Sequence, residues 1–144
     1  MKRTVERARL QQEPHLVWNA FIDLLAIEAY GDLSPDQRKA HLVFWYDSEV
    51  QNGGHGQYFE NRGVNRLAET VAALKDLDLA CQADVLSRAA AALAASEPGA
   101  DWADTLPDGL TDELDAAFHR CMPTVTEALE QHLARHTAEY VEER

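Results

Sequence analysis

Cationic side chains are scarce in this chain: 13 lysines and arginines stand against 25 aspartates and glutamates, a formal charge of −12. A surface of that sign repels phosphodiester backbones, so direct nucleic-acid binding is not expected, whereas basic protein surfaces are attracted. Cysteine is scarcer still. Cys81 and Cys121 stand alone without C-x-x-C spacing, which argues against a thiolate zinc site or a stapled scaffold. The segment Met1-Lys2-Arg3-Thr4-Val5-Glu6 lacks the apolar core of a signal peptide, so both thiols are expected to be reduced and the protein cytoplasmic. Long apolar runs are also missing. The longest, Leu42 to Tyr46 and Ala89 to Ala95, are too short to span a bilayer, and no membrane partner is expected. There is no phosphate loop, nucleophile elbow or zinc signature, Ser48, Ser87 and Ser96 have no triad context, and no cofactor is expected.

What is present describes a folded domain. With 144 residues, 46% of them hydrophobic and 26% charged, the chain fits a single domain over residues 1–144. Residues 1–12 read as a mobile arm or a short first helix. From Pro14 to Tyr30, Leu16, Val17, Ala20, Phe21, Leu24 and Ile27 recur at helical spacing. Ser34-Pro35-Asp36-Gln37 is ordered as a helix start, predicting a helix from Pro35 to about Gln51. Further stripes follow at Leu67, Val71 and Leu74, at Leu79, Val85, Leu86, Ala89 and Leu93, and from Thr111 onward. A break runs from Ser96 to Ala100, with Trp102 expected to pin the following loop to the core. A last helix is predicted from about Thr124 towards Glu142. The fold class is therefore all-α, a compact single-domain helical bundle of about six to eight helices. Close packing of the Ala89 to Ala92 run inside the monomer is expected, and a homodimer seam there is the alternative.

One stretch departs from amphipathic patterning. Glu49 to Gly63 holds four of the seven glycines, interleaved with amide, carboxylate and phenol side chains. Asn52 and Gly53 are expected to end the preceding helix in a left-handed turn, with a short helix from about His55 to Asn61 stopped by Gly63. Glu49 would face this turn and accept hydrogen bonds from the amides opening the second helix. The spacing Glu-x-x-Asn-Gly-Gly followed by Gln-Tyr-Phe-x-Asn-x-Gly resembles the signature of the bacterial DNA-mimic-protein family, in its C-terminal domain. Matching positions are Glu49, Asn52, Gly53, Gly54, Gln57, Tyr58, Phe59, Asn61 and Gly63, within a family-like region of about 34–144. His55 stands where the family usually has an aromatic residue. The resemblance implies an acidic protein-interaction module, a DNA mimic that binds a basic DNA-binding protein.

Two candidate sites follow. The first is an acidic interaction face of Asp104, Asp108, Asp112, Asp115, Glu127 and Glu130, since residues 97–144 carry 12 acidic and 3 basic side chains. The second is the turn itself, with Glu49, Asn52, Gly53, Gly54, His55, Gln57, Tyr58 and Asn61 as binding residues of a small-molecule binder or small enzyme. In that reading Glu49 is a general base and Tyr58 or His55 an acid. An architectural role for the turn is favoured, because buried polar groups need partners. His132, His136 and Glu139 have metal-ligand spacing, but His136 falls among Leu129, Leu133 and Tyr140 and reads as a packed histidine, so no metal is expected.

Overall fold

Ser34 fixes the start of the longest helix. In the computed structural model of the chain, which describes residues 1–97 and 99–144, the Ser34 hydroxyl accepts from the Gln37 amide at 3.2 Å. The Gln37 side-chain oxygen accepts from the Ser34 amide at 3.1 Å, completing a capping box with Pro35 at the first helical position. The resulting helix α3 (Pro35–Arg62) buries Ala40, Val43, Tyr46 and Val50 along one side. Against it pack α2 (Leu16–Ile27), α4 (Leu67–Asp76), α7 (Leu110–Arg120) and α8 (Val125–Tyr140). α5 (Ala80–Ala94) joins α4 and α7, bringing the fully buried Ala89 into the core. Two four-residue helices, α1 (Arg7–Leu10) and α6 (Trp102–Thr105), complete an all-α bundle with eight α-helices among the described residues. Trp102 pins the α5–α7 connection as expected, its ring 5.4 Å from that of Phe59. Of the expected break from Ser96 to Ala100, Pro98 lies outside the described residues.

Four readings of the sequence are corrected. The N-terminal segment contains a strand: β1 (Arg3–Val5) pairs in parallel with β2 (Val141–Glu143), Arg3 opposite Val141 and Val5 opposite Glu143. The last helix accordingly ends at Tyr140 rather than running to Glu142. Three-residue strands joined across the whole chain leave no local alternation to read. The two cysteines are not free thiols, because Cys81 and Cys121 are joined in a disulfide with their Cα atoms 5.6 Å apart. They open α5 and follow α7, two elements that pack together, and a separation of 40 residues carries no local signature of that contact. The half-buried histidine of α8 is His132, whose Nε2 is hydrogen-bonded with the Tyr140 hydroxyl at 2.8 Å, while His136 is exposed. The helix is interrupted at His136 itself (φ −131°, ψ 25°), which rotates the expected wheel.

Candidate functional site: the break in α3

Two glycines interrupt α3. Gly53 has φ −156° and ψ 16°, Gly54 has φ 78° and ψ −176°. The left-handed residue is thus Gly54, not Asn52 or Gly53 as the sequence suggested. A Cβ on Gly54 would also lie 2.9 Å from the Asp115 carboxyl carbon, so two independent constraints require glycine there.

The interruption leaves the amides of the second helical segment unpaired, and Asp115 meets the first of them. Its Oδ1 accepts from the His55 backbone N–H at 2.7 Å and from His55 Nδ1–H at 2.6 Å. With Nδ1 donating, Nε2 accepts from the Tyr46 hydroxyl at 2.7 Å. A continuous chain Asp115, His55, Tyr46 therefore joins α7 to both halves of α3. His55 and Tyr46 are fully buried. Burial holds the imidazole below its ordinary pKa against the opposing pull of Asp115, and pushes the Tyr46 phenol well above its own. Both rings stay neutral at physiological pH, out of reach of solvent. The arrangement ties helices together, with its two rings closed off and only the Asp115 carboxylate partly exposed.

Glu49 lies on the other side of the break and is 8% exposed. Its carboxylate accepts from Gln57 Nε2 at 2.8 Å and Asn61 Nδ2 at 2.9 Å, and its second oxygen lies 3.6 Å from Arg62 Nε. The sequence assigned Glu49 to the backbone amides of the second segment. The first of those, that of His55, goes to Asp115, and Glu49 serves side chains instead. Burial pushes its carboxyl up, and the hydrogen bonds from Gln57 and Asn61 with the Arg62 charge outweigh this and leave it below the ordinary carboxylate range. Asn52 Nδ2 donates to Gln57 Oε1 at 3.3 Å. No buried polar side-chain atom of the turn lacks a partner among the described residues. The nearby cavity takes Tyr58 as lining but neither Glu49 nor His55.

The structure distributes the predicted acidic residues over three places. Asp104 lies on α6 and Asp108 in the connection to α7; Asp112 lies on α7, and Glu127 and Glu130 on α8, all five exposed. Asp115 is the exception, turned inward to His55. Among the described residues, no group of three or more His, Cys, Asp or Glu is placed to hold a metal ion, and no helix is long and apolar enough to cross a membrane.

Sequence reasoning missed the roles of Asp115 and Tyr46. The available signal was His55 itself: a polar ring at a position otherwise occupied by an apolar one, if buried, requires a donor and an acceptor from elsewhere.

A family model described as DMP19-like protein matches residues 31–143. The chain belongs to the DMP19-like protein family. The match begins at the turn of 3₁₀ helix before α3 and runs to β2, so it contains the whole Glu49 to Gly63 break and Asp115, while α1 and α2 precede it. No curated protein and no solved structure matches the chain. Membership in a family named for a DNA mimic accords with the turn signature, and in this DMP19-like chain the polar turn links both halves of α3 to α7.

Proposed function

We infer that this DMP19-like chain is an acidic protein-interaction module whose carboxylates take, on a basic DNA-binding protein, the places of duplex phosphates. The observation that carries the reading is charge distribution: between Arg88 and Arg120 there is no lysine or arginine, while Asp101, at the N-cap of α6, and Asp104, Asp108, Asp112 and Glu113, on α6, α7 and their connection, are all exposed. Family membership supports it. Duplex phosphates recur about every 3.4 Å of axial rise along each strand, and helix positions three or four apart rise about 4.5–6 Å. Flexible carboxylates at such positions sample phosphate-like separations without presenting a base edge, so recognition would be electrostatic. The proposal places the protein in the cytoplasm with its DNA-binding partner.

The test is capture of partners on the immobilised protein from lysate, followed by titration of the purified partner. Binding should weaken steeply with salt, as expected for charges screened over about 8 Å at physiological ionic strength. Duplex DNA should compete for the same partner. A complex indifferent to both salt and DNA would sink the proposal.

A further inference from the structure

Beside the break in α3 lies a pocket of about 170 Å³ whose lining includes His41, Leu42, Trp45, Tyr58, Arg62 and Arg66. In a chain of charge −12, the charged groups in this lining are two arginines, and no carboxylate joins them. Both guanidiniums are laid on aromatic faces, Arg62 at 3.4 Å from the Trp45 ring centre and Arg66 at 3.8 Å from that of Tyr30. Each is steadied from behind by a carboxylate: Glu49 faces Arg62 Nε, and Glu69 accepts from Arg66 Nη1 at 3.1 Å. Each therefore keeps N–H edges without a protein partner among the described residues. The turn cluster of Glu49, Gln57 and Asn61 thus acts as a brace for Arg62.

The third polar element is His41, 8% exposed. Its Nδ1–H donates to the Leu25 carbonyl at 3.1 Å, an oxygen that also accepts from Trp45 Nε1–H at 3.1 Å. A carbonyl only accepts, so the tautomer is fixed and Nε2 is left as an acceptor without a partner among the described residues. Two cationic donors and one neutral acceptor converge on a space walled by Leu42, Trp45 and Tyr58. The volume limits the occupant, since roughly 150 Å³ suffices for a benzene ring and drug-sized ligands need about 300 Å³ or more. We propose that this pocket binds a small carboxylate built on one ring and carrying its own hydrogen-bond donor, the carboxylate on Arg62 and Arg66 and the donor on His41 Nε2.

Isothermal titration of the full chain with the three hydroxybenzoates, benzoate, phenol and inorganic phosphate tests this. At least one hydroxybenzoate should bind one-to-one, with benzoate and phenol each about tenfold weaker or more, since each lacks one of the two polar contacts. Arg66→Gln, at an exposed position, should lower affinity about tenfold without changing the melting temperature, and His41→Gln should erase the preference for hydroxybenzoate over benzoate. The Trp45 indole N–H resonance should shift on titration and locate the ligand. Absence of saturable binding by any hydroxybenzoate, or equal affinity in Arg66→Gln, overturns the proposal. So does phosphate binding as tightly as the best hydroxybenzoate, or a peptide with a free C-terminal carboxylate binding more tightly, which would make the pocket a plain anion or protein-docking site.

Discussion

Asp115 accepts two hydrogen bonds from the buried His55. Replacing it by Ala leaves two His55 N–H groups without an acceptor in a buried setting, so about 2–4 kcal/mol of stability should be lost, read by urea denaturation. Glu49→Ala strands the Gln57 and Asn61 amides nearer the surface and should cost about 1–3 kcal/mol. Gly54→Ala combines a left-handed backbone (φ 78°) with a collision against Asp115, and should destabilise by more than the roughly 1–2 kcal/mol of backbone strain alone. An Asp115→Ala variant as stable as the parent would show that the His55 chain contributes nothing net. The resemblance to a catalytic relay is one of residue types only. Tyr46 and His55 are closed off from solvent, and the groups that do face a cavity, His41, Arg62 and Arg66, belong to a different cluster.

Among elements, the parts with the weakest local signals are the ones fixed by long-range closure. The disulfide joins the start of α5 to the end of α7 across 40 residues. On loop-entropy grounds its removal as Cys81→Ser/Cys121→Ser should cost about 2–4 kcal/mol, measured as a fall in urea midpoint, and reduction of the parent by dithiothreitol should reproduce it. An unchanged midpoint on reduction would mean that α5 and α7 are held by packing alone. The β1–β2 pair is closed further by Arg7 N–H donating to the Arg144 carbonyl at 2.8 Å and Arg144 N–H to that of Val5 at 3.0 Å. Gln37 adds a bond from its Nε2 to the Glu139 carbonyl at 2.8 Å, so one side chain both caps α3 and anchors the C-terminal end.

For the whole molecule, stability should depend on pH through its buried imidazoles. Burial lowers the pKa of His41, His55 and His132, the last to about 4, from an unfolded value near 6.5. Between those values the unfolded chain binds more protons than the folded one, so stability rises with pH; it is fully present above about 6.5 and is lost as pH falls below it. The urea midpoint should therefore drop between pH 7 and pH 5, and His132→Gln should flatten the slope; a pH-independent midpoint would contradict this account. Charge acts separately from fold. Neutralising Asp104, Asp108 and Asp112 together to Asn should change stability by less than about 1 kcal/mol, since surface changes are small and like-charge repulsion is relieved. The same variant should bind a basic partner markedly more weakly if the acidic surface is the interface.

The sequence by itself determined the helices and the place of their interruption. Ser34, Pro35 and Gln37 specify the start of α3, and paired glycines at 53 and 54 specify its break, because capping and left-handed backbone are local properties of a few consecutive residues. It also showed the family, through side chains spaced within one turn. Only the tertiary structure decided which groups that break would hold. Asp115 reads in sequence as one more carboxylate on an acidic helix, Cys81 and Cys121 as unrelated thiols, and Arg62 and Arg66 as ordinary surface charge. Their partners lie on other elements, and a buried hydrogen bond, a disulfide or a stacked guanidinium depends on distances that exist only after the helices have packed.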